Sequence, residues 1–351
     1  MDKELFCIPL GTKDEKHVAT KAYNDVQSIV DSFAMKRLCG TVYPTEVLQE
    51  LSKKRKTIAE IKKNLEGKEG SYVFIQYPTY LGDTFLFPEG FASFSKKYRC
   101  VYFIHDLNGI RYGTPWVNAS DKKVLKNAWR ILSLNEKMTA YLVRKFGIPE
   151  EKILSYGFWD YLVPKTNRNK RTKGNGLVFA GNLTKSVRLI EDYQKRNLRP
   201  VLNLYGYLGN RDWFKKSDNV FYRGSFKGDE VQDHLDGSFG LVWDGTSATD
   251  LKGPVGTYQE YNCPHKAGLY VVSGLPLIVS KKAAIYPFVK ERGIGFGVDS
   301  LEEAEGLISS LSEEEYSALQ ERVFELGDSL RKGERLKGLI SLTVKDYREG
   351  Q

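Results

Sequence analysis

Short apolar runs recur along the chain with segments of helical spacing between them. This alternation confines the sequence to folds in which parallel strands are joined by helical crossovers. ELFCIPL, SYVFIQYP and YRCVYFIHD are apolar along most of their length rather than alternating, as strands covered on both faces are. With RILSLN, and helical segments such as Val47–Leu65 and Glu136–Phe146, they make four strand-and-helix units in the first part of the chain. At 163–175 the pattern gives way to VPKTNRNKRTKGN, a polar, basic stretch read as a linker. It then restarts with NGLVFAGNL, PVLNLYGY, NVFYRGSF, SFGLVWDG, LPLIVS and GIGFGV, and ends in amphipathic segments at 301–311, 314–330 and 334–347. A chain of 351 residues exceeds the ~250–300 at which single cores stop growing. The expectation is therefore an α/β protein of two doubly wound Rossmann-like domains, 1–164 and 171–330, facing a central cleft. Ligands are expected at the carboxyl ends of the strands, and a last helix at 331–348 is expected to pack back on the first domain.

Charge narrows the partners without choosing one. Lys and Arg number 53 against 44 Asp and Glu, and the net +9 suits a nucleotide sugar, a nucleic acid or an acidic membrane surface. No nucleic-acid motif or basic aromatic strand is present, so nucleic acid is not expected. No window approaches the ~18 apolar residues of a spanning helix, and MDKELFCIPLG lacks the order of a secretory leader, so a cytoplasmic location is expected. Cys7, Cys39, Cys100 and Cys263 are widely and irregularly spaced, which reads as reduced, buried thiols. His17, His105, His234 and His265 show no ligand spacing, and neither a DxD loop nor a Walker-type loop occurs; no metal is expected.

The most informative stretch is YNCPHKAGLYVVSGLPLIVS at 261–280. Pro264 suits a first helical position with Asn262 or Cys263 as the cap, and Gly274 suits a left-handed stop before the next strand. Lys266 falls in the first turn, where a cation is disfavoured unless an anion compensates it; that pattern asks for a phosphate. As an exposed helix-start lysine it is expected to contribute little to stability. Other strand ends carry turns of the same kind: Gly181-Asn182-Leu183-Thr184-Lys185, Tyr205-Gly206-Tyr207, Arg223-Gly224-Ser225-Phe226 and Asp244-Gly245-Thr246. Each alone is an ordinary strand-to-helix loop, but together they converge on one face.

The order Gly-Asn-Leu with a nearby Lys, Arg-Gly-Ser-Phe, Val-Trp-Asp-Gly and Asn-x-Pro-His-Lys with Gly-Leu-Pro-Leu-Ile-Val resembles the GT-B glycosyltransferases of the glucosyltransferase 3 type. These act in bacterial adhesin O-glycosylation and are related to galactofuranosyltransferases. The resemblance implies a GT-B fold and a UDP-hexose donor, most of all UDP-glucose, with no cofactor and no required metal. The acceptor it implies is a GlcNAc-type sugar already O-linked to a Ser/Thr-rich surface protein. It also implies Lys266 and Lys185 as diphosphate contacts, with Thr12 approaching from across the cleft. Asp244 and Asn262 would meet ribose or sugar hydroxyls, and Asn182, Gly206 and His265 would complete the donor site. Phe226, with Tyr205 as second choice, is the expected surface for the uracil.

A base for an inverting transfer must reach the acceptor hydroxyl, and His105-Asp106 at the end of YRCVYFIHD is the expected pair. Tyr77, Tyr80, Asp83 and Arg111 are expected on the acceptor side, with Asp83 an alternative base. Glu260 has Gly268 eight residues on, where many retaining GT-B enzymes place a second glutamate, which argues against retention and leaves the stereochemistry open. A homodimer or tetramer is expected from the apolar stripe of the tail. Two other readings stay open: a galactofuranosyl- or other hexosyltransferase of polysaccharide synthesis, and a non-catalytic GT-B-like accessory subunit.

Overall fold

The computed structural model describes residues 4–13, 18–44, 50–83, 87–174, 176–215 and 217–350. His17 and the start of the helix read over 47–65 lie outside the described residues. The chain divides into two compact units, one of Met1–Lys13, Tyr23–Gly157 and Arg335–Gln351, the other of Asp14–Ala22 and Phe158–Glu334.

The first unit is built on a six-stranded parallel sheet. Its strands are β1 (Leu5–Ile8), β2 (Lys36–Arg37), β3 (Tyr72–Tyr77), β4 (Arg99–Ile104), β5 (Arg130–Ser133) and β6 (Ile153–Ser155). They run in the order β2-β1-β3-β4-β5-β6, so the order reverses between β1 and β3. Every residue of β1 and β3 is buried, which is why those segments read as unbroken apolar runs. β2 and β6 were not legible: β2 is two exposed charged residues at an edge, a composition that discourages edge pairing, and β6 is three residues long. From Arg335 on, the helix Glu334–Glu349 belongs to this unit, where Thr343 Oγ1 lies 2.9 Å from the Tyr72 hydroxyl and Arg130 pairs with Asp346 at 3.1 Å.

The second unit repeats the architecture with β7 (Leu177–Ala180), β8 (Leu202–Tyr205), β9 (Val220–Gly224), β10 (Phe239–Val242), β11 (Leu277–Ser280) and β12 (Gly295–Val298). All are parallel, in the order β12-β11-β10-β7-β8-β9. The order reverses between β7 and β10, and a doubly wound sheet binds ligands beyond the carboxyl ends of the strands at such a point. Trp243, Phe179, Leu204 and Leu241 are buried in the core of this unit.

The basic stretch 163–175 is not a free linker. Thr166 Oγ1 donates to Asp328 at 2.8 Å, the Asn167 N–H to Val272 O at 2.8 Å, and Arg171 Nη1 to Gly237 O at 3.1 Å, all within the second unit. Polar bonds of this kind tie an irregular strand of chain down without leaving any periodicity to read. All four cysteines are buried and in no disulfide.

Candidate functional site

The switch point of the second sheet is shaped by backbone before any side chain acts. β7 ends in Gly181 (φ 147°) and Asn182, whose Oδ1 accepts from the Thr184 N–H at 3.1 Å and the Thr184 hydroxyl at 2.6 Å, fixing the short turn Leu183–Lys185. Lys185 ends that turn with its side chain exposed. Gly206, after β8, has φ 126°, and a Cβ there would lie 1.9 Å from Gly181 O. Two strand-end turns thus press backbone to backbone, and glycine is the residue that permits it. Gly206 therefore shapes the site through its backbone.

Beyond β10 the buried Trp243 donates Nε1–H to Ser247 O at 2.9 Å, and the Asp244 N–H is taken by Gln259 Oε1 at 3.0 Å. Lys266 reaches the same point from the start of the helix Lys266–Val272. Its Nζ donates to Asp244 Oδ1 at 2.7 Å and stands 4.4 Å from the centre of the Phe179 ring of β7. The two charged side chains are only 13% and 19% exposed, so the lysine is not the freely exposed residue the sequence pattern indicates. The anion that compensates it in this structure is Asp244. One ammonium and one carboxylate are thus held beside β7 and β10, where the strand order reverses.

Around them, several expectations are corrected. The helix begins at Lys266 with His265 before it and no side-chain cap, because Pro264 closes a preceding turn with its carbonyl accepting from Ala267 N–H at 2.9 Å. The His265 ring lies 4.7 Å from that of Tyr161, stacked, and edge-on to Trp159 at 5.2 Å, a packing role. Asn262 does not cap the helix either; its Oδ1 is buried without a hydrogen-bond partner among the described residues, as is Gln259 Nε2. Tyr205 is core, not a platform: it is buried, and its hydroxyl accepts from the Asp236 N–H at 2.8 Å. Phe226 is half-buried, with one face stacked on the exposed His234 ring at 4.0 Å and 10°. Gly274, at φ 73°, ends the helix in the left-handed conformation its type suggests. A Cβ at Gly268 would lie 2.9 Å from Trp159 O and 3.3 Å from Tyr161 Cβ, so a glutamate eight residues after Glu260 has no room here.

In the first unit, Thr12 lies in the turn after β1, its N–H donated to Asn24 Oδ1 at 2.9 Å. His105 and Asp106 follow β4. His105 is buried with Nε2 2.8 Å from Gln76 Oε1, and burial pushes its pKa down to about 3, which makes it a poor proton acceptor at neutral pH. Asp106 is partly exposed and paired with Arg111. Tyr77 is fully buried and donates its hydroxyl to Asp121 at 2.6 Å, and Asp83 is buried with its carboxylate on the Thr79 N–H at 2.6 Å. Neither presents a surface to an acceptor, because both are used up inside the fold. Tyr80, at φ 63°, shares a 2.7 Å hydroxyl contact with Tyr23.

Three residues near this strand end had no sequence signal. Asp121 is buried with its second oxygen on the Gly109 N–H at 2.8 Å, and desolvation raises its pKa to about 7 against those hydrogen bonds. Tyr112 directly follows Arg111, whose guanidinium lies 5.6 Å from its ring centre, and Trp116 opens the helix Pro115–Leu125; the two side chains are 55% and 59% exposed.

Both parts of the chain match models of one family. Residues 8–158 match the glucosyltransferase 3-like N-terminal domain and residues 177–342 the glucosyltransferase 3-like C-terminal domain. The chain is 29% identical over 259 residues to the β-1,6-galactofuranosyltransferase WbbI of Escherichia coli K12, covering 72% of this chain and 73% of that one. It is 28% identical over 276 residues to glucosyltransferase 3 of Streptococcus gordonii, covering 75% and 76%. Among solved structures, sucrose-phosphate synthase of Thermosynechococcus elongatus superposes with a TM-score of 0.65 at 11% identity, over 99% of this chain and 100% of that one. Anabaena HepE in complex with UDP superposes with a TM-score of 0.59 at 11% identity, over 97% and 100%. The fold, the family models and the relatives agree: this chain belongs to the glucosyltransferase 3-like family of GT-B glycosyltransferases.

Proposed function

We propose that this glycosyltransferase moves a hexose, glucose in the first instance, from a UDP-sugar to a GlcNAc-type sugar already O-linked on a Ser/Thr-rich surface glycoprotein. The observation that carries the donor half is Lys266, an ammonium held beside the switch point of the second sheet between Phe179 and Asp244. The leaving nucleotide gains negative charge as the glycosidic bond breaks, so a fixed cation there stabilises the transition state more than the ground state. We assign this role to Lys266, with Lys185 second, in place of a divalent ion. The names of the glucosyltransferase 3 relatives support glucose, and HepE, of the same fold, is seen with UDP.

For the acceptor hydroxyl we assign Asp106 as the base, since it is partly exposed while His105 and Asp83 are buried. Lys266→Ala is expected to lower kcat/KM with UDP-glucose at least a hundredfold, and chelation by EDTA is expected to leave the wild-type rate unchanged. A rate abolished by EDTA, or unaffected by the substitution, refutes the assignment. The 29% identity to WbbI favours a second reading, a galactofuranosyl donor. Parallel turnover of UDP-glucose and UDP-galactofuranose on GlcNAc-terminated glycans separates the two.

A further inference from the structure

The carboxylate on Lys266 stands where the proposed function needs a phosphate. We propose that Asp244 is an internal counter-ion that competes with the donor's diphosphate for Lys266, and so sets how tightly a nucleoside diphosphate is held. The proposal rests on the reading of Lys266 as the diphosphate contact.

Several observations support it. The pair is direct and largely enclosed, with 2.7 Å between Nζ and Oδ1 and little exposure of either side chain. Among the described residues the Asp244 carboxylate has no other ionic partner. A phosphate arriving at Lys266 therefore meets a carboxylate already there, and two anions on one ammonium repel unless the first gives way.

The approach to the ammonium is also restricted, because the Phe179 ring lies 4.4 Å from Nζ and offers no hydrogen-bond acceptor of its own strength. The exchange asks little of the backbone. The Asp244 N–H is anchored on Gln259 Oε1 at 3.0 Å, so a side-chain rotation suffices to release the lysine. The same Gln259 amide carries a buried Nε2 with no partner among the described residues, leaving a donor close to the residue that must turn.

The exchange predicts that Asp244 weakens nucleotide binding, the opposite of what a ribose contact or a mere structural support does. The test is calorimetric binding of UDP and of inorganic pyrophosphate to the wild-type protein and to the D244N, D244S and K266A variants at one ionic strength. Both Asp244 variants are included so that a folding failure of one leaves the other decisive, and thermal melts establish that each is folded. The expected result is an affinity for both probes about tenfold or more above wild type in the Asp244 variants, with binding lost in K266A. Unchanged or weaker binding in folded Asp244 variants overturns the proposal while leaving the diphosphate reading intact. UDP binding by K266A at wild-type affinity overturns both.

Discussion

Lys266→Ala is expected to weaken the fold itself as well as turnover, and the size of that effect follows from the geometry. The substitution removes a charge-assisted hydrogen bond of 2.7 Å between side chains only 13% and 19% exposed. Such a bond contributes roughly 1.5–3 kcal/mol, and the ammonium over the Phe179 ring at 4.4 Å adds about 0.5–1 kcal/mol. Against this, alanine is the slightly better helix former, by a few tenths of a kcal/mol. Asp244 would be left partly buried without its cation, but its residual exposure lets water take over part of the load. The expected loss is about 2–3 kcal/mol. At a urea m-value of about 2–3 kcal/mol/M, the unfolding midpoint falls by about 1 M. The Lys266→Ala/Asp244→Ala double variant recovers part of that loss, because it leaves no orphaned carboxylate. A midpoint within 0.2 M of wild type for the single variant, or strictly additive losses in the double one, refutes the claim that the pair is a stabilising unit of the second domain.

Further expectations follow from other sites. Gly206→Ala places a Cβ 1.9 Å from Gly181 O at φ 126°, so it should lose about 3 kcal/mol of stability and disturb nucleotide binding, seen by urea titration and calorimetry. Asp121 has a folded pKa of about 7 against 3.8 for the free side chain, so the folded protein keeps a proton that the unfolded chain has shed. Its contribution is present below about pH 4 and is lost as the pH rises to about 7. Asp121→Asn should therefore gain on wild type by an amount on the order of 4 kcal/mol between pH 4 and pH 8; a difference flat with pH contradicts this. Trp116→Ala, at a side chain 59% exposed, should leave stability within about 0.5 kcal/mol and UDP affinity unchanged while raising KM for the glycan acceptor. An unaltered acceptor KM refutes a contact between the Trp116 ring and the glycan acceptor.

Most of the sheet framework was legible because parallel strands buried on both faces leave continuous apolar runs such as YVFIQY and LVFA. The two-residue β2 and three-residue β6 left none, being too short, and in β2 too exposed, to carry a pattern. The strand-end turns of the second unit were legible in the same way, since glycine and small polar residues after a strand mark the place where backbone must turn. What each side chain does there was not. Tyr77 and Tyr205 look in sequence like open aromatic faces, yet their hydroxyls reach Asp121 and the Asp236 N–H, partners far along the chain, and both rings are core. Lys266 and Asp244 are 22 residues apart, and no local rule pairs them. Long-range polar partners decide whether a charged or aromatic residue faces a ligand or the interior, and a single sequence does not encode them in any spacing.

The account stands or falls on where a nucleoside diphosphate binds. A crystal structure of the protein soaked with UDP tests this directly: the account predicts the phosphate oxygens about 3 Å from Lys266 Nζ, with the Asp244 carboxylate turned away from it. Phosphates held elsewhere in the chain, with the Lys266–Asp244 pair intact, contradict it.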